Sequence, residues 1–478
     1  MYFSILVAFA SAAASISLEK RATTISVNLA TKYQTIDGFG CSEAFQRANG
    51  IVKLAATQQR YALDLLFNTT NGAGQYRYGS SSLYVKSLLP TGFSILRNGI
   101  GSTPNSNSDY MNTILPTSPG SPSGTPKYVW DGKDSGQLFV TKEAQKYGVK
   151  TFYANAWSAP GFMKTNKNDA NGGSLCGVSG ASCSSGDWKQ AFANYLVKYI
   201  QFYQQEGVQI THLGFLNEPD AATSYASMQS SGTQAADFIK VLYPTLQNAN
   251  LSSVKVTCCD AMGYGTASNM LSQLSSVTSQ LGLITSHAYT GGPNTLNTKL
   301  PVWMTELADN NGPWTTAWYN NGGAGEGFTW ANKISDGITG ANLSGYLYWI
   351  GAQERSSTTN SKLIEIRNGA VTPSKRLWAF AQFSRFVRPG AVRVSASGSG
   401  VKTSAYVNTD GSVAVVVINS GTAATVATIN VAGLQSGSVK AIVTDNSHDA
   451  SVTTATVSGG AVSGNIPARG MVSFLITA

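Results

Sequence analysis

The chain has 478 residues, a formal net charge of +9, and only 12% charged residues beside 49 glycines and abundant Ser and Thr. That length is too great for one small core and suits a large domain with a smaller companion. Lys and Arg are scattered without a run of five, so no nucleic-acid footprint is expected; a basic surface would favour an acidic polymer, such as a polysaccharide bearing uronic acids.

Residues 1–21 read as a signal peptide and propeptide. The apolar stretch Tyr2 to Ala14 is followed by small residues and is too short to span a membrane, and Lys20-Arg21 is a dibasic cleavage signal that would start the mature chain at Ala22. No later stretch is long and apolar enough for a membrane helix, so a secreted, extracellular protein is expected. Thr23–Leu29 is strand-like.

From residue 36 to 388, short apolar runs alternate with helix-like stretches. The strand candidates are Ile36–Cys41, Phe93–Ile100, Lys150–Trp157, His212–Asn217, Lys255–Asp260, Leu283–Tyr289, Val302–Glu306 and Gly345–Ile350. Their near-continuous apolar character suits strands buried on both faces. Eight such β-then-α units predict an α/β fold, a (β/α)8 TIM barrel. Gly38-Phe39-Gly40 lacks the third glycine of a dinucleotide loop, so an open doubly wound sheet and a nucleotide cofactor are not expected.

After Arg388-Pro389-Gly390 the texture changes to period-2 runs such as Ser412–Ile418 and Met471–Ile476, punctuated by turn signals such as Thr409-Asp410-Gly411. These predict a β-sandwich side domain over 389–478, joined by residues 22–35 from the other end of the chain and packed firmly on the barrel.

Five cysteines occur. Cys176 and Cys183 bracket a flexible loop and predict a disulfide in an oxidising compartment. Cys41, Cys258 and Cys259 sit in strand-like segments and are expected as buried thiols. With three histidines, none in ligand spacing with the cysteines, no metal site is expected. Sequons at Asn68, Asn250 and Asn342 are candidate glycan sites.

Barrel active sites lie where the strands end. There the chain offers Arg97, Trp157, Asn217-Glu218-Pro219, His287-Ala288-Tyr289, Glu306 and Trp349. A carboxylate closing a buried strand is costly unless it is used. Two of them, Glu218 and Glu306, are the equipment of a glycosidase. Indoles stack on sugar faces and amides grip hydroxyls; Trp157 and Trp349 could equally be core aromatics. Arg97 could pair with the carboxylates or contact substrate. His287 reads as a structural histidine. Loops Ser102–Asp131 and Asn166–Asp187 are the candidate cleft walls.

The pattern resembles clan A glycosidases, specifically glycoside hydrolase family 30. The likeness runs through Ile36-Asp37-Gly38-Phe39-Gly40, Leu96-Arg97-Asn98-Gly99-Ile100-Gly101, Trp157-Ser158-Ala159-Pro160-Gly161-Phe162-Met163-Lys164, Leu216-Asn217-Glu218-Pro219, Thr305-Glu306 and Trp378-Ala379-Phe380-Ala381-Gln382-Phe383-Ser384-Arg385-Phe386. It implies Glu218 as acid/base, Glu306 as nucleophile, Asn217 on the 2-hydroxyl of the reacting sugar and Tyr289 bonded to Glu306. Such a pair implies a carboxyl separation of about 5–5.5 Å, retention of configuration, and a Glu218 pKa raised while Glu306 stays ionised. The run Gly40-Cys41-Ser42-Glu43-Ala44-Phe45-Gln46-Arg47-Ala48 most resembles fungal xylanases and glucuronoxylanases (subfamily 7). That resemblance implies a monomeric enzyme acting on xylan or glucuronoxylan without membrane or nucleic-acid partners, with Arg47 reading a methylglucuronic acid branch. An endo-β-1,6-galactanase and a non-catalytic carbohydrate-binding barrel are the alternatives.

Overall fold

The computed structural model describes residues 21–70, 89–104, 110–355, 357–433 and 436–477. The signal-peptide segment lies outside them except for Arg21, which opens the first strand, β1 (Arg21–Thr35). Among the described residues, no helix is long and apolar enough to cross a membrane.

The barrel is built from β2 (Gly38–Ser42), β3 (Ile95–Ile100), β4 (Thr151–Ala156), β5 (His212–Gly214), β6 (Lys255–Ala261), β7 (Leu283–His287), β8 (Val302–Glu306) and β10 (Gly345–Glu354). They run parallel in that order, and β10 pairs with both β2 and β8, which closes the ring. All eight strand segments expected from the apolar runs are present. Between β8 and β10 the chain makes a short strand, β9 (Asp309–Pro313), which pairs with Thr359–Asn360 at the barrel mouth.

The barrel is filled, not hollow. Ile95, Tyr153, Leu283, Trp303 and Leu347 interlock at its base, and the Trp303 indole donates to Asp37 Oδ2 at 2.7 Å. Apolar residues on both faces of each strand meet this plug inside and the helices outside. One of those helices, Gly232–Asn248, is started by a capping box: Ser231 and Gln234 satisfy each other's backbone N–H groups.

The second domain is one ten-stranded sheet that includes β1 and the strands between Val392 and Thr477, folded over a core of Ile25, Val27, Val415, Val417, Ile429 and Phe474. β1 lies between an antiparallel neighbour (Val392–Gly398) and a parallel one (Thr425–Val431), so the chain's start is woven into the sheet. The helix Lys375–Ser384, buried from Arg376 onward, joins the domains. Gln382 donates to Thr444 Oγ1 at 2.7 Å and accepts from Ser473 Oγ at 2.6 Å, and Phe380, Ile418 and Met471 share one continuous core.

Cys176 and Cys183 form the expected disulfide. Cys258 and Cys259 correct the thiol expectation: adjacent in strand β6 and both buried, they are bonded to each other. Cys41 is a buried free thiol whose pKa burial and the charge of Glu43 push far up, so it is inert. Asn250 and Asn342 are exposed. Asn68 is not: it is buried and its Nδ2 donates to Asp64 Oδ1 at 2.9 Å, so the glycan expectation is withdrawn there.

Candidate active site

The carboxyl ends of the strands open on a cleft of about 1110 Å³ lined by Phe45, Arg47, Trp157, Glu218, Tyr225, Tyr289, Glu306 and Trp349, among others. One oxygen each of Glu218 and Glu306 and one ring nitrogen of His287 lie within 4.8 Å of one another. The nearest oxygens of the two acids thus share one small volume at the cleft floor.

Glu218 follows β5 and has a left-handed backbone (φ 48°), held by a hydrogen bond from its N–H to the Asp260 carbonyl at 2.8 Å. Asp260, on β6, is left-handed too (φ 49°). Such conformations cost about 1–2 kcal/mol each for residues with a side chain, and here they aim two acids inward. Gly214 makes the crossing possible: a Cβ there would lie 2.0 Å from Asn155 Oδ1 and 2.5 Å from the Tyr153 hydroxyl oxygen.

Those two groups belong to a buried polar hub centred on Asp260. Its Oδ2 accepts from Tyr153 at 2.6 Å, Asn155 at 2.7 Å and Arg97 Nη2 at 3.1 Å, and its Oδ1 accepts from Thr305 at 2.5 Å. Burial pushes the Asp260 carboxyl up, but the charges of Arg97 and His287 and these donors outweigh it and hold the group below the usual carboxylate range. Arg97, itself fully buried, then passes the alignment on. Its Nη1 donates to Glu306 Oε2 at 2.5 Å and its Nη2 to Asn217 Oδ1 at 2.6 Å, while the guanidinium lies 4.4 Å over the Trp157 ring. With Asn217's carbonyl so occupied, its NH2 end is left to meet a sugar hydroxyl. Tyr289 donates to Glu306 Oε1 at 3.0 Å, the contact the resemblance implied.

Glu218 is held by different groups. His287 Nδ1 lies 3.0 Å from Oε1, and the Tyr225 hydroxyl donates to Oε2 at 3.2 Å. His287, read as structural, is fully buried and contacts an acid. It stands between the acids, with Nε2 3.7 Å from Glu306 Oε2 and 3.9 Å from Asp260 Oδ2.

The surroundings push the two acids in opposite directions. Burial alone would raise Glu218, but the bond and charge of His287, then Tyr225 and Arg97, bring it below its ordinary value. Burial is likewise the largest influence on Glu306 and leaves it raised, despite the pull of His287 and Arg97. His287 is raised: burial opposes its charge, but the carboxylates of Glu306, Glu218 and Asp260 win. A metal ion would fit poorly among these three residues, since Arg97 already places a cation on Glu306.

Trp157 is buried at the cleft floor and Trp349 is half-buried beside it, with ring centroids 5.9 Å apart. Phe45 stands edge-on against both, at 5.3 and 6.0 Å. Phe45 and Gln46 are consecutive left-handed residues (φ 54° and 62°), a tight turn that brings Phe45 and Arg47 to the cleft. Arg47 Nη1 donates to the Phe45 carbonyl at 3.1 Å. The cleft walls differ from those expected. Of the two loops named, Ser102–Asp131 contributes Tyr110 among the described residues and Asn166–Asp187 lines a separate groove. Asp169 instead accepts from Ser102 and Thr103, which ties the two loops to each other. The walls come from Phe45 and Arg47, from Ser224 and Tyr225, and from the run Leu307–Asn311.

Asp260, Tyr225 and Phe45 had no assigned role in the sequence. Asp260 carried the same signal as the two glutamates, an acid closing an apolar strand. Tyr225 lies in irregular sequence and carried none.

Comparison with known proteins agrees with this architecture. The glycosyl hydrolase family 30 TIM-barrel domain profile matches residues 135–294, and that family's β-sandwich domain profile matches residues 390–474. The catalytic domain of GH30 xylanase C from Talaromyces cellulolyticus superposes with a TM-score of 0.86 at 45% identity, covering 95% of this chain and 100% of that one. Endo-1,6-beta-D-glucanase neg1 of Aspergillus fumigatus is 27% identical over 60% of this chain and 62% of its own length. Glucuronoxylanase XynC of Bacillus subtilis is 24% identical over 71% of this chain and 77% of its own. With both domains matched and a neighbour of this identity along nearly its whole length, the chain belongs to glycoside hydrolase family 30.

Proposed function

We propose that this glycoside hydrolase is a secreted, retaining enzyme that cleaves β-1,4-xylan, with glucuronoxylan its preferred form. The observation that carries the reading is the pair Glu218 and Glu306 within 4.8 Å, each held by its own donors, at the floor of an aromatic cleft. The likeness to the Talaromyces xylanase supports xylan as the substrate.

In this reading Glu306 Oε attacks the anomeric carbon. The bond to the leaving oxygen breaks, its electron pair goes to that oxygen, and Glu218 supplies the proton. A glycosyl–Glu306 ester results. Glu218, now a carboxylate, takes a proton from water, which attacks the same carbon and frees Glu306. His287 fixes Glu218 Oε1. Arg97 and Tyr289 fix the nucleophile's oxygens, so little reorganisation is needed. Trp349, backed by the buried Trp157, offers a ring to the sugar, and Arg47 offers a guanidinium to a uronate carboxylate.

The test is product analysis on purified glucuronoxylan, unbranched xylan, β-1,6-glucan and β-1,6-galactan. Chromatography should show xylo-oligosaccharides, and NMR of the first-formed products should show the β-anomer. Release from β-1,6-glucan with none from xylan would replace the substrate assignment. The Aspergillus glucanase likeness makes that the second reading. A first-formed α-anomer would refute the mechanism.

A further inference from the structure

Glu218's two oxygens face different surroundings. Oε1 meets His287, which is fully buried, whereas Oε2 meets Tyr225, which is 37% exposed and lines the cleft. Oε2 is therefore the oxygen on the side from which a leaving group arrives. Tyr225 is itself fixed: its ring stands edge-on to Phe45 at 5.7 Å and 85°, across from the loop that carries Arg47. That contact joins the loops that follow β2 and β5.

We infer that Tyr225 is a positioning residue for the acid/base, whose hydroxyl holds Glu218 Oε2 in line with the leaving-group oxygen while its ring borders the leaving-group sugar. The inference rests on Glu218 being the acid/base. The balance is simple. Oε2–H passes its proton to the leaving oxygen as the C–O bond breaks, and the phenol stays neutral, bonded to Oε2 before and after. A hydroxyl that donates to a carboxylate favours its charged form. Losing it must make Glu218 hold its proton to higher pH. The other groups that face Glu218 are His287 and Tyr289 from the end of β7 and beyond, Arg97 from β3, and Glu306 from β8. None of them is altered when the Tyr225 hydroxyl is removed.

The experiment is Tyr225→Phe, which keeps the ring against Phe45. Two readouts are taken on the whole protein. One is the Glu218 carboxyl titration by carbon-13 NMR of glutamate-labelled enzyme, with the resonance identified by its loss in Glu218→Gln. The other is the Glu218-dependent limb of kcat/KM on glucuronoxylan, the one that Glu218→Gln abolishes. Both should move to higher pH by about 0.5–1 unit, the share expected of one long, partly exposed hydrogen bond. An unmoved Glu218 titration overturns the inference, whatever the substrate proves to be. A moved titration with an unmoved limb also overturns it, because Tyr225 would then tune a group that is not the acid. If xylan is not cleaved at all, the substrate reading fails while the NMR titration still decides the contact.

Discussion

Asp260→Asn isolates the hub on which the alignment of the site depends. The amide is nearly the same shape, and it can keep its oxygen toward Tyr153, Asn155 and Arg97 if its NH2 turns to Thr305, whose hydroxyl can accept. What is lost is mainly charge. Removing one partner of a buried ion pair costs about 3–5 kcal/mol. Arg97 keeps Glu306 at 2.5 Å, so the lower figure, about 3 kcal/mol, applies. The loss has a pH signature. Asp260's folded pKa is depressed, so its contribution is fully present above the unfolded value of about 3.9 and is lost as pH falls through the lower folded value. Urea unfolding at pH 6 should show the full gap between wild type and variant, and the gap should narrow well below pH 4. Activity should fall as well. Arg97 clamps Glu306 and Asn217 together, and a slip of about 1 Å costs about 100-fold in rate. A variant within about 1 kcal/mol of wild type at pH 6, or a gap that does not depend on pH, would show that the hub does not hold Arg97 as argued.

Three further outcomes are expected. Glu218→Gln and Glu306→Gln should each lower kcat by several orders of magnitude while the melting temperature stays near wild type; full turnover in either would remove its role. One limb of the kcat/KM profile should lie above the ordinary glutamate value of about 4.3, because burial raises Glu306; a profile with both limbs below that value would contradict this. Arg47→Ala should cost about 10–100-fold on glucuronoxylan, the worth of a charge-assisted bidentate bond, with little change on unbranched xylan; equal losses on both would leave Arg47 without a recognition role.

The barrel was legible because its strands are buried on both faces and so read as eight apolar runs, and the sandwich because its strands alternate. The two glutamates stood out for a related reason: a charge at the end of an apolar strand needs an explanation. Asp260 satisfied the same rule after Val256-Thr257-Cys258-Cys259 and was passed over, because one acid alone suggests no chemistry until its partners are known. Those partners come from β3, β4 and β8, and no local pattern links Arg97, Tyr153, Asn155 and Thr305.

The same limit explains His287 and the protonation pattern. Nothing in His287-Ala288-Tyr289 says that both side chains reach acids, or that they reach different ones: Tyr289 meets Glu306, while His287 meets Glu218. The pKa order of two acids depends on which neighbours donate to each, and that is a property of the closed ring, not of any run of residues. Glu306 ends β8 inside the ring, where burial outweighs the pull of His287 and Arg97, whereas at Glu218, four residues past the end of β5, the bond and charge of His287 with those of Tyr225 and Arg97 outweigh burial. Glu218 is thus held on Oε1 by His287 and on Oε2 by Tyr225, and of these two partners Tyr225 lines the cleft, so in the proposed mechanism the proton bound for the leaving oxygen is carried on Oε2.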